Sequence, residues 1–376
     1  MEANMNTALF NLGFRPFFLV GAAFAVFSMA LWVGPFFPTA LMWHAHEMVY
    51  GFAVAIVAGF LLTAVRNWTG IQTLYGLPLA GLVGIWLSAR LLALSKATLP
   101  WAAFLDLVFL LALWAAVSWP IVQVKQRRQW GILTCLGFVV LGQLIFALGE
   151  FEVWRAGQRT GILIGLYAVL GLIFILGRRV IPFFTERGVG YPVTIKQYPW
   201  LDRWLMPIYS LFAVLVIVFP EIVVDRLLAM TLAVLHGIRL AGWHTPGIWR
   251  KPLLWILFVA YGWLIIGFAL YGAGMTSLAV HAFAVGGLGG MILGMICRVS
   301  LGHTGRNIHQ PPKAVGALFL LLMTAAVFRT AMPLFFSEYT VVWYRLAGIT
   351  WIVAYLGFLW WYAPMLWQPR VDGKPG

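Results

Sequence analysis

Apolar runs, each of roughly the 20 residues needed to cross a bilayer, take up most of the chain and are separated by short polar stretches. They fall at 14–34, 46–65, 74–94, 99–121, 130–150 and 161–181, and again at 204–220, 222–242, 253–273, 277–298, 314–333 and 340–362. The pattern predicts an all-α polytopic integral membrane protein of about twelve transmembrane helices. The tightest connection is Pro220-Glu221, where two runs nearly touch. The longest, from Arg178 to Arg203, divides the runs six and six. A single membrane domain over 1–376 is expected, with helices 1–6 (about 14–181) and 7–12 (about 204–362) joined by this basic cytoplasmic loop. The first run passes into Gly34-Pro35 without a small-residue cleavage site, so it reads as a span and not as a signal peptide.

Composition strengthens this picture. Hydrophobic residues make up 62% of the 376 and charged ones only 10%, against about 25% charged in a soluble domain that must coat itself with a wet surface. The net charge of +14 would point to nucleic acid in a soluble protein. Here it is better explained by cytoplasmic loops, and no nucleic-acid partner is expected. Of the 25 Lys and Arg, seven (Arg90, Lys96, Arg155, Arg159, Arg226, Arg329 and Arg345) fall on one side of the bilayer. The other 18 fall on the side of the N-terminus, which places both termini inside by the positive-inside rule. Cys135 and Cys297 lie inside apolar runs and form neither a disulfide framework nor a CxxC site.

The seven histidines sort into layers. His44 and His46 sit at the outer end of span 2, and His281 about one turn inside the outer end of span 10. His236 lies six residues, roughly 9 Å, from the inner end of span 8. His244, His303 and His309 lie at the inner surface. Ionisable groups within spans usually face the interior and mark function, so His236 and His281 are candidates, although a lone membrane histidine as often just bonds a neighbouring helix. On a helix, residues two apart point about 200° from each other, so His44 and His46 can share a metal only in an extended stretch. The preceding Gly34-Pro35 and Pro38 favour such an irregular start. The segment is not HExxH, which excludes a zinc protease.

His281 opens a glycine-rich run with small-xxx-small pairs at Gly286–Gly290 and Gly290–Gly294, suited to close packing. Arg298 and Arg306 flank a turn with His303 that could grip a carboxylate, including a haem propionate; a plain positive-inside loop is the simpler reading. Asp106 lies deep in span 4. Its partner is either Arg90 at a compatible depth or a histidine that it orients.

Several segments carry a family resemblance: Phe14-Arg15-Pro16-Phe17-Phe18, Trp43-His44-Ala45-His46-Glu47-Met48, Gly59-Phe60-Leu61-Leu62-Thr63-Ala64-Val65, and Gly177-Arg178-Arg179-Val180-Ile181-Pro182. His236 with Arg239 and Trp243 belongs with them, as does Arg298-Val299-Ser300-Leu301-Gly302-His303-Thr304-Gly305-Arg306. Together they resemble the NnrS family of bacterial membrane proteins. The resemblance implies a twelve-span protein of the bacterial inner membrane that binds haem and copper and serves the response to nitric oxide and nitrosative stress. No reaction is settled for it, and a haem–copper redox activity on nitric oxide is compatible with it; no catalytic residue is assigned. Carried over, His44, His46, His236, His281 and His303 occupy positions of the family's motifs. His44, His46 and His281 are then the expected metal ligands at an outer copper site, and His236 and His303, with Arg298 and Arg306, are expected to hold haem; the exchanged assignment of the two layers fits almost as well. The chain departs from the family pattern at Ala147 and Phe258, where relatives have histidines. Each layer thus loses a potential ligand, which leaves room for one of the two cofactors to be absent.

Two other functions fit the sequence less well. A secondary transporter would suit the six-plus-six layout, but the span 2–3 connection Arg66-Asn67-Trp68-Thr69-Gly70 lacks a major-facilitator signature. A haem–copper oxidase would need more membrane histidines than the chain has.

Overall fold

The computed structural model describes residues 8–34, 41–220, 222–374 and 376. It is 82% helical, with no strand among the described residues. Every predicted run is a helix: α1 Phe14–Val33, α2 Leu41–Thr69, α3 Gly76–Leu92, α4 Lys96–Gln123, α5 Arg127–Glu150 and α6 Gly157–Gly188, followed by α7 Pro199–Val218, α8 Val223–Gly242, α9 Pro252–Gly272, α10 Thr276–His303, α11 Val315–Phe335 and α12 Ser337–Trp367. Ten are long and apolar enough to cross a membrane. The two that fall short are α3, with 17 residues, and α8, which carries Asp225, Arg226 and Arg239. Exposed apolar residues such as Trp101, Leu111, Trp119, Leu227, Leu320 and Trp360 would be untenable in water at this density and are natural against lipid.

The chain forms two compact units, one of Met1–Leu172, Val299–Asn307 and Leu359–Gly376, the other of Ile173–Arg298 and Ile308–Phe358. In the first unit, Thr63 Oγ1 accepts the Phe14 amide (3.0 Å) and donates to the Gly59 carbonyl (2.8 Å). One hydroxyl thus caps α1 and fixes it on α2. Gly70, at φ +74°, ends α2 in the left-handed conformation that glycine adopts without a Cβ penalty.

Helix boundaries differ from expectation at two places that bear on the site. α2 begins at Leu41, so His44 and His46 stand on a helix and not on the extended stretch that one shared ion would need. Of the residues expected to make that start irregular, Pro35 and Pro38 lie outside the described residues, as does Glu221 of the tight turn. Both α2 and α10 also change to π-helix immediately after a histidine, over Glu47–Ala53 and Ala282–Gly289. Such stretches re-aim side chains and are frequent at functional sites.

Candidate functional site

In the first unit the polar end of α2 closes on a buried charge network. Arg90 of α3 donates to Glu47 Oε2 and to Asp106 Oδ2 of α4. His46 Nδ1 faces Glu47 Oε1 at 2.9 Å, and its Nε2 faces Gln143 Oε1 of α5 at 2.9 Å. The Gln143 amide nitrogen donates to the Ala103 carbonyl (3.0 Å), which fixes its oxygen toward the histidine. Both ring nitrogens of His46 are therefore engaged, one by a carboxyl group and one by an amide oxygen, while Arg90 faces both carboxyl groups. All five residues are at most 5% exposed, and burying such charges is tolerable only when they are paired and bonded.

The walls support this arrangement. The His46 ring lies 4.0 Å from Phe146 and 5.0 Å from Tyr50, stacked on both, which fixes its plane. Arg90 lies over Phe24 and Trp86, and a Cβ on Gly51 would run into Phe24 and Arg90. Tyr50 seats its hydroxyl on the Gly161 carbonyl (2.6 Å) in a groove formed by Gly142, Gly161 and Gly165. A cavity of about 160 Å³ borders His46, Glu47, Glu150, Gln158 and Met42.

His46, Glu47 and Asp106 could each offer a metal one atom, mutually within 4.8 Å. The Arg90 guanidinium already holds both carboxylates, however, and both nitrogens of His46 are engaged. His44 takes another direction, stacked on Trp32 at 4.2 Å.

In the second unit, His236 of α8 is buried among Phe174 (4.4 Å), Phe268 (5.5 Å, nearly parallel) and Tyr261. Its Nδ1 lies 2.5 Å from Tyr261 Oη, and Arg239 in turn reaches Tyr261 and pairs with Asp202. Nε2 is buried and has no hydrogen-bond partner among the described residues. With Nδ1–H donating to Tyr261, Nε2 presents a bare lone pair, the arrangement found in metal-ligating histidines. His281 differs. Its Nδ1–H donates to the Ser277 carbonyl (2.8 Å), and its Nε2 accepts from Arg329 (2.9 Å), so a neutral ring there is fully used.

The predicted sets are thus split between units: His44, His46, His303 and Arg306 in the first, His236, His281 and Arg298 in the second. His303 packs its ring 5.5 Å from Phe14, and its carbonyl accepts from Arg370 (2.9 Å). Arg306 donates to Gln368 (3.3 Å). The turn around Gly305 therefore holds the C-terminal segment, where Arg370 makes a two-pronged pair with Asp372. That pairing pulls the Asp372 carboxyl down to about 2. The contact contributes above the ordinary carboxylate range and is lost as pH falls through the depressed value. An NMR titration should place the Asp372 midpoint near 2, returning to about 3.9 in Arg370→Gln; a midpoint already near the ordinary value would refute the pairing.

The family described as NnrS protein matches residues 8–370. The chain belongs to the NnrS family. No curated protein matches it. Family membership gives the two departures a place in the structure. Ala147, where NnrS relatives are expected to carry a histidine, packs with Ala103, Phe146 and Ile162 under Met42 and Ala45, on the α2 segment that bears His44 and His46. Phe258, the second such position, makes its ring contacts with His244 and Trp249, each at 5.6 Å.

Glu47 and Gln143 carry little signal in the sequence. Glu47 was visible only as part of a failed zinc motif, and Gln143 carries no charge to flag it. Its available signal was an amide one helical turn before position 147, on the same face of an otherwise apolar α5.

Proposed function

We propose that the protein is a haem-binding protein of the bacterial inner membrane that acts in the response to nitric oxide, with His236 as the iron ligand. In this reading all twelve helices cross the bilayer and both termini lie in the cytoplasm, as the distribution of Lys and Arg supports. The observation that carries the reading is the buried, unpartnered Nε2 of His236. An imidazole nitrogen left so costs about 1–3 kcal/mol, a penalty that iron coordination would remove. Tyr261, held by Arg239, fixes the orientation of the ring, and Phe174 and Phe268 keep water from the ligand. A bound haem would supply an iron position able to take nitric oxide. Of the residues expected beside His236, His303 and Arg306 serve the C-terminal turn in the first unit.

Copper does not fit the residues expected for it. A copper ion at His46 would have to displace Gln143 or Glu47 from the ring, and one at His281 would have to displace Arg329 from Nε2. Purified protein should therefore show a Soret band and about one haem iron per chain, without stoichiometric copper. His236→Ala should remove the Soret band and His44→Ala should keep it. Retention of the band in His236→Ala, with its loss in His44→Ala, would overturn the assignment, and one copper per chain surviving chelation would overturn the exclusion.

A further inference from the structure

The second unit holds a cleft of about 110 Å³ whose lining includes Arg250, Lys251, Arg298 and His309 and contains no carboxylate. Arg298 is the informative member. It is 8% exposed, and its guanidinium face lies 3.7 Å over the Phe184 ring. It makes no hydrogen bond or ion pair among the described residues. Stacking covers the face of a guanidinium and leaves its in-plane N–H donors free, so a buried cation is presented to the cleft with its donors unspent. Helix α9 starts in the same wall at Pro252, adding the positive end of its dipole. Three cations around one helix start, with no anion among them, call for an anionic partner from outside the chain.

We propose that this cleft binds a phosphate oxyanion, carried by the headgroup of an anionic phospholipid. The phosphate class follows from the convergence of two guanidinium groups, an ammonium and the positive end of a helix on a small volume. The lipid source follows from the surroundings. Trp249, directly before Arg250, and Phe183, next to the stacking Phe184, are 52% and 47% exposed, an aromatic rim of the kind found at headgroup depth. The cleft lies where α9 begins and the α10–α11 connection passes, on the side of the bilayer that carries the excess of Lys and Arg. Basic clefts there attract anionic headgroups. This reading does not depend on haem at His236.

The test uses full-length protein in nanodiscs of phosphatidylcholine alone, of phosphatidylcholine with about one-fifth phosphatidylglycerol, and of that same mixture with millimolar inorganic phosphate. Native mass spectrometry counts retained phosphatidylglycerol, and the Soret band is recorded on the same samples. Wild type should retain phosphatidylglycerol over phosphatidylcholine. Lys251→Gln/Arg298→Gln should weaken that retention at least tenfold, while Lys125→Gln leaves it unchanged. Arg250→Gln/Lys251→Gln, confined to the more open rim, serves if the first variant does not fold, and should weaken retention severalfold. Unchanged retention in folded variants overturns the site. Equal competition by inorganic phosphate at that concentration overturns the lipid source. A lowered Soret band with lipid retention intact would assign the cations to a haem propionate and overturn the proposal.

Discussion

Arg90→Met is expected to be the most damaging single substitution in the first unit, at about 3–5 kcal/mol, the range seen when one partner of a buried ion pair is removed. Arg90 donates to two carboxylates on two helices. Its loss would leave Glu47 with His46 alone, and Asp106 with His46 only at 3.8 Å. The carboxyls would have to take up protons or admit water. Arg90→Lys should fall between, because a compact ammonium cannot reproduce the planar fork that reaches both. The triple variant Arg90→Met/Glu47→Gln/Asp106→Asn should recover much of the loss, since it removes the uncompensated charge together with its partner. Thermal unfolding of the detergent-solubilised protein measures this. A single Arg90→Met within 1 kcal/mol of wild type would mean that the network is not closed in the way described.

The second large effect is expected at Gly165. An added Cβ there would fall inside the Tyr50 ring and hydroxyl, and Tyr50 cannot retreat, because its hydroxyl bonds Gly161 and its ring stacks on His46. Gly165→Ala should cost about 1–3 kcal/mol by overpacking, and Gly165→Val more. The diagnostic is coupling. In a Tyr50→Leu background the same Gly165→Ala change should cost markedly less, giving a non-additive double-mutant cycle. Strict additivity would show that the glycine matters for some reason other than room for Tyr50.

Much of the architecture was legible because a span is a length of apolar chain, and every predicted run is a helix. What lay beyond length was harder to read. The start of α2 at Leu41 and the extension of α6 past Pro182 to Gly188 leave no trace in hydropathy. A nearly all-apolar helix also has no polar periodicity from which a π stretch could be recognised. Asp106 was flagged and its pairing with Arg90 anticipated from depth, but depth alone could not add Glu47, which reaches the same guanidinium from 43 residues away. The histidines were the least legible. Whether an imidazole can still accept an ion depends on what occupies its two nitrogens. For His46 one of those partners is Gln143, 97 residues on, and for His281 one is Arg329, 48 residues on. His236 keeps a buried nitrogen in reserve, a property of packing between α8 and α9 that residue type does not reveal.

The π stretches of α2 and α10 act on the helices as a phase shift. Each residue advances an α-helix by 100°, and a π turn absorbs one residue more than an α turn. Side chains on the two sides of each stretch are therefore out of step with a continuous α-helix. Were Glu47–Ala53 to relax into α register, His46 would swing by about one residue's angle relative to the Val54–Thr69 segment that Thr63 fixes to α1. Its ring could not then keep Glu47, Gln143 and the Phe146–Tyr50 stack at once. The direction of that ring is thus set by the length of chain stored in a single wide turn.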